Sequence, residues 1–105
     1  MQQTLAITVD QRGGLTVLTL VGDIDHDARP LLDALLGRLP DPVGRIRVEM
    51  AGVPFMDSAG LHFLVELRRR QTSGGTGPPT LVGVREQPAG VLRLTGLDTV
   101  LGIAA

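Results

Sequence analysis

Between Arg45 and Leu67 the chain changes its hydrophobic period, and that change restricts the fold more than any other feature. Arg45-Ile46-Arg47-Val48-Glu49-Met50 alternates strictly, which predicts a strand with one buried face. After Val53-Pro54-Phe55-Met56-Asp57, apolar residues recur at three- and four-residue steps, which predicts a helix from Ser58 to about Thr72. A strand that hands over directly to an amphipathic helix has to lay that helix on a sheet. Placed at 100° steps, Gly60, Leu61, Leu64, Val65 and Leu67 share one arc and are expected to face the sheet. Ser58, His62, Glu66 and Arg69 take the opposite arc, with Ala59, Phe63 and Arg70 beside them. Gly60 is expected to permit close approach of helix and sheet, since its low helix propensity needs such a reason.

The flanking segments extend this unit. Leu5-Ala6-Ile7-Thr8-Val9 reads as a strand that ends in the turn Asp10-Gln11-Arg12-Gly13-Gly14. Leu15 to Val21 is a second, β-rich run, near enough to form a hairpin with the first and closed by Gly22-Asp23-Ile24-Asp25. Ala28, Leu31, Leu32, Leu35, Leu36 and Leu39 recur at helical spacing. Asp25 or Asp27 is expected to cap this helix, with Pro30 in its first turn and Pro40-Asp41-Pro42 ending it. Beyond the loop Ser73–Pro79, Thr80–Val84 predicts a short strand. Gln87–Leu94 predicts a short helix with Val91, Leu92 and Leu94 inward, stopped by Gly96. Leu97–Ile103 is either a last strand or a docked tail. Alternation after an initial hairpin predicts one α/β domain over residues 1–105: a mixed sheet of about five strands with helices packed on it, the first or last strand at its edge.

Composition removes several classes of function. The 105 residues are 43% hydrophobic, enough for one core, but only 2% aromatic, so no stacking platform for bases exists. A net charge of −1 with interspersed signs makes no basic field for nucleic acid. No cysteine is present for disulfides or thiolate sites, and His26 and His62 alone do not furnish a histidine-rich metal site. No apolar run approaches the ~18 residues of a membrane span, and no secretory signal is visible at the N-terminus, so a cytoplasmic protein is expected.

Chemistry is equally sparse. All ten basic residues are arginine, so a phosphate loop with its lysine is absent, and Gly74-Gly75-Thr76-Gly77 reads as a connector. A hydrolase elbow needs a glycine two residues before the serine, where this chain has Met56. His62 lies one turn from Ser58, but no third group orients it. Asp23, Asp25, Asp27 and Asp57 end strands on one rim and could hold Mg²⁺, yet helix capping and turn formation explain them more simply. Arg68-Arg69-Arg70 suits the C-terminal half of a helix dipole, with Arg69 and Arg70 also able to extend the face that carries Ser58. Ser58 itself is expected to cap its helix.

Three stretches together resemble the STAS domain, in particular the bacterial anti-sigma factor antagonists, over nearly the whole chain. They are Gly22-Asp23-Ile24-Asp25, Val48 to Ser58 continuing through Ala59-Gly60-Leu61, and Leu94-Thr95-Gly96-Leu97-Asp98. Glu49 departs from the family's frequent Asp. The resemblance implies a binding module, not an enzyme, that uses no cofactor, metal, nucleic acid or membrane. It implies phosphorylation of Ser58 by an anti-sigma factor that is a serine kinase. The unphosphorylated form binds that kinase and frees the sigma factor, and a PP2C-type phosphatase restores it. The partner-binding surface expected from it comprises Asp23, Asp25, Asp57, Ser58, Ala59, His62 and Phe63. The same resemblance admits an alternative, a STAS subunit of a lipid-transport ABC complex that grips the ATPase subunit.

Overall fold

The computed structural model describes residues 4–40, 43–75 and 77–104. Met1, Gln2 and Gln3 of the N-terminus, Asp41 and Pro42 of the helix-ending triplet, and Thr76 of the glycine-rich loop lie outside the described residues. Five strands run β1 (Ala6–Arg12), β2 (Leu15–Val21), β3 (Arg45–Gly52), β4 (Thr80–Val82) and β5 (Gly102–Ala104). Three helices alternate with them: α1 (Arg29–Arg38), α2 (Ser58–Ser73) and α3 (Glu86–Thr95). The predicted α/β class and mixed five-stranded sheet are therefore observed.

The strands lie side by side in chain order, β1-β2-β3-β4-β5, with β1–β2 antiparallel and the remaining pairs parallel. Every parallel step moves the same way across the sheet. Right-handed crossovers in one direction lay all the helices on one face. Burial agrees. Leu18, Leu20, Ile46, Val48, Met50 and Leu81 point into the core, whereas Arg45, Arg47, Glu49 and Ala51 on the alternate positions stay accessible.

Several boundaries differ from expectation for local reasons. β1 continues to Arg12, because only Gly13-Gly14 is needed to turn the hairpin and Gly13 takes the left-handed conformation, φ 62°. Asp25 caps a 3-10 turn, His26–Ala28, by accepting from the Ala28 N–H at 3.2 Å, and α1 follows with Pro30 in its first turn. The last segment is a strand after a 3-10 turn, Leu97–Thr99. Gly96 ends α3 with φ 76°, as expected of a C-terminal cap. Leu94, expected to point inward, is 90% exposed; Pro88 and Leu92 are the buried residues of α3.

The face of α2 needs a larger correction. Its buried residues are Ala59, Gly60, Phe63, Leu64, Leu67 and Gln71. Val65 is 41% exposed and Leu61 half-buried, whereas Ala59 and Phe63, expected on the outer face, are 5% and 1% exposed. The helix is turned by roughly 70° from the expected orientation, at 100° per residue. Gly60 does sit where close approach was expected: a Cβ there would collide with Met56 Cγ and Sδ and crowd Ile24.

Candidate functional site

The segment from Val53 to Ser58 joins β3 to α2, and three sets of bonds hold it. Val53 and Met56 are fully buried, so the segment is pinned at two points by apolar side chains, while Phe55 between them is 41% exposed. On one side it pairs with the chain leaving β2. Ile24 N–H donates to Phe55 O and Asp57 N–H donates to Ile24 O, both at 3.0 Å, a one-residue continuation of the parallel sheet. On the other side lies the Gln87 carboxamide from the first turn of α3. Its Oε1 accepts from Met56 N–H at 2.8 Å and its Nε2 donates to Met56 O at 3.0 Å. The third set closes the start of α2. Asp57 Oδ1 accepts from Ala59 N–H at 2.8 Å, and Asp57 O accepts from Gly60 N–H at 3.0 Å.

Asp57, not Ser58, is thus the N-cap. Its backbone is extended, φ −116° and ψ −159°, as a cap requires, and Ser58 is the first helical residue. The expectation that Ser58 caps the helix is corrected: the Asp57 carboxylate takes the Ala59 N–H, and the Gly60 and Leu61 N–H groups that a serine cap would take donate to the Asp57 carbonyl. Ser58 is exposed, and among the described residues its hydroxyl makes no hydrogen bond. Replacing Asp57 by Ala is expected to lower stability by about 1 kcal/mol, while Asp57→Asn, also a good cap, stays within a few tenths of wild type. Urea denaturation of the two variants measures this; equal losses would remove the capping role.

The other residues named from the sequence are placed as follows. Asp23 is 8% exposed and offers little surface. Asp25 is half-buried and occupied as the cap before α1. Ala59 and Phe63 belong to the core, so they are not surface neighbours of Ser58. His62 is exposed as expected. The stripe that shares the outer face of α2 with Ser58 therefore runs Ser58, Leu61, His62, Val65 and Arg69, with Phe55 just before the helix. Among the described residues no three or more His, Asp or Glu side chains converge as a metal site would need, and no helix is long and apolar enough to cross a membrane.

At the far end of α2 Arg69 and Arg70 are engaged locally. Arg69 Nη2 lies 2.6 Å from Glu66 Oε1, and this bond, with Arg70 adding to it, holds the Glu66 carboxyl below its ordinary range against a burial effect that raises it. Arg70 Nη1 donates to Leu36 O at 2.7 Å, closing a carbonyl in the last turn of α1. Arg70 is therefore a tie between two helix ends and not a free extension of the Ser58 face. Two functional contributors were not legible in advance. In the sequence Gln87 marks only the start of a helix, and Gln71 is one more residue near the end of another. Gln71 is 2% exposed, accepts from Ile46 N–H at 2.9 Å and donates to Pro78 O at 3.0 Å. A glutamine at i+4 from Leu67 on the buried line is the one sequence signal for it.

Comparison with known proteins adds the family. A family model described as Mlab, STAS domain, matches residues 7–102. Among solved structures, an anti-sigma factor antagonist from Mycobacterium paratuberculosis superposes with a TM-score of 0.77 at 23% identity, covering 95% of this chain and 85% of that one. The phosphorylated form of the Bacillus cell fate determinant SpoIIAA gives a TM-score of 0.66 at 20% identity over 95% of this chain and 92% of that one. A sulfate transporter family protein from Wolinella succinogenes gives 0.71 at 24% identity, over 89% and 75%. No curated protein matches the chain in sequence. With a family model spanning nearly its whole length and a fold shared with these structures, the chain belongs to the STAS domain family.

Proposed function

We propose that this protein is an anti-sigma factor antagonist, a binding module and not an enzyme. Its unphosphorylated form binds an anti-sigma factor, itself a serine kinase, and releases the sigma factor. Phosphorylation of Ser58 by that kinase switches binding off, and a PP2C-type phosphatase restores it. The observation that carries the reading is the exposed Ser58 hydroxyl at the first position of α2, relieved of capping by Asp57. Similarity in fold to antagonists, one of them solved in a phosphorylated form, supports it.

The physics of the position suits a switch. A phosphoserine adds about −1.5 to −2 charges at neutral pH. At a helix N-terminus the dipole favours that charge, while the neighbouring Asp57 opposes it through water that screens both. The fold is thereby kept while the surface around Leu61, His62, Val65 and Phe55 gains a charge that a docked partner must desolvate. Incubation with an anti-sigma serine kinase and ATP, followed by mass spectrometry, is expected to place one phosphate on Ser58. Phosphate on Ser73 alone, or on neither of the two serines, refutes the reading.

A second reading has one observation in its favour, the match of residues 7–102 to the family model described as Mlab, STAS domain. In it the same face of α2 grips the ATPase subunit of a lipid-transport ABC complex. Affinity capture separates the two, since the first recovers a serine kinase and the second an ATPase subunit with no dependence on Ser58 phosphorylation.

A further inference from the structure

We infer that Gln87 is a positioning residue for Ser58, acting through the Met56 peptide. The inference rests on the phosphoswitch reading for its consequence in phosphoryl transfer, though not for its geometry. In a parallel pair, a residue's partner bonds to the peptides on either side of it, which leaves its own N–H and C=O pointing the other way. Ile24 treats Met56 in this manner. The N–H and C=O of Met56 therefore face away from Ile24, beyond the end of β4, which stops at Val82. The Gln87 carboxamide fills this place with one acceptor and one donor, at 2.8 Å and 3.0 Å. It does for Met56 what a further strand would do.

A carboxamide is the side-chain group suited to this. It accepts through one atom and donates through another, in the same fork as a peptide neighbour. A carboxylate only accepts, and a hydrocarbon does neither. Met56 is followed by Asp57, whose cap begins α2, and by Ser58 in the first turn. The register of the hydroxyl is thus set jointly by Ile24 on one side and Gln87 on the other. Gln87 also lines an open groove of about 670 Å³ with Pro54, Arg85, Val91, Leu94 and Arg93. The groove is floored by the helix that clamps the Ser58 loop, so a side-chain change there reaches the phosphoacceptor without touching it.

Two variants of the full chain test this, Gln87→Leu and Gln87→Glu. Leu removes both bonds. Glu is nearly isosteric, keeps an acceptor for Met56 N–H, and sets a carboxylate against Met56 O. A negative charge in the first turn of α3 also suits the helix dipole, so Gln87→Glu separates positioning from global stability. Native-state amide exchange is read first. In Gln87→Leu the Met56 amide is expected to exchange at least about tenfold faster, the scale of an ordinary hydrogen bond, while Leu18 and Val48 amides keep their protection. In Gln87→Glu, Asp57 and Ala59 amides lose protection at neutral pH and regain it as pH falls through the glutamate range, because the neutral acid again donates. Unchanged exchange from Met56 to Ala59 in both variants, or loss spread evenly over the sheet, overturns the inference.

Phosphorylation is read second, with an anti-sigma serine kinase and ATP. Where wild type is phosphorylated on Ser58, both variants are expected to show kcat/KM reduced about tenfold or more with an unaltered denaturation midpoint for Gln87→Glu. Equal kcat/KM overturns the positioning role. If wild type itself takes no phosphate, the phosphoswitch fails, and amide exchange alone decides whether Gln87 sets the Ser58 loop.

Discussion

Ser58→Asp is expected to weaken binding to the anti-sigma kinase by about a hundredfold or more, while the melting temperature shifts by only a few degrees. The binding loss follows from desolvation. A carboxylate at the centre of a docked surface must lose water without a partner, which costs several kcal/mol, and each ~1.4 kcal/mol is a factor of ten. The small thermal shift follows from the position. Ser58 is exposed at the first turn of α2, where an acidic group gains roughly 0.3–1 kcal/mol from the dipole and loses a similar amount to Asp57 nearby. Ser58→Ala serves as the control: it binds like wild type but ATP no longer releases it from the kinase. Calorimetric titration and thermal melting of the three proteins give the answer. Tight binding by Ser58→Asp, or a fold that collapses, refutes a switch of charge without a switch of fold.

Phe63→Ala is expected to cost about 3–5 kcal/mol, the ordinary loss for emptying a fully buried aromatic site. A domain of this size has only about 5–15 kcal/mol in hand, so the variant sits near its unfolding limit at room temperature. The magnitude reflects burial: Phe63 is 1% exposed and is the aromatic side chain of a core otherwise built from aliphatic residues and methionine, whereas Phe55 is at the surface. His62→Ala and Val65→Ala, on the outer face of the same helix, are expected to stay within about 0.5 kcal/mol. Urea midpoints of the three variants test the orientation of α2 directly. A small loss for Phe63→Ala with a large one for Val65→Ala would restore the orientation expected from periodicity.

That orientation shows where sequence reasoning worked and where it stopped. The strict alternation from Arg45 to Met50 marked β3, because a half-buried strand leaves a period of two that no other element imitates. Gly96 marked the end of α3 because the left-handed conformation there favours glycine. On α2 the apolar residues cover most of the circumference, so counting them left two orientations open. Leu61 and Val65 were as hydrophobic as Ala59 and Phe63. The buried line includes Gln71, a polar residue held in the core by bonds to Ile46 N–H and Pro78 O. Such pairings join residues 25 and 7 positions apart and leave no periodic trace. The Gln87–Met56 fork, 31 positions apart, is hidden for the same reason. The start of α2 at Ser58 was legible in the sequence; its capping by Asp57 was not, since serine and aspartate are equally good caps when side by side.

The in-line order of the strands has a consequence for how the molecule assembles. Each strand pairs only with those next to it in the chain, so each addition closes one loop, a hairpin or a single crossover, and never waits for a distant segment. Loop-closure entropy grows only with the logarithm of length, and rates of folding follow the mean separation of contacts. The hairpin β1–β2 is the most local step, and β3 with α2 the first to bury a large apolar face. The loop that leads into Ser58, held between Ile24 and Gln87, is completed only when α3 docks, so an incompletely folded chain leaves one wall of that clamp unbuilt.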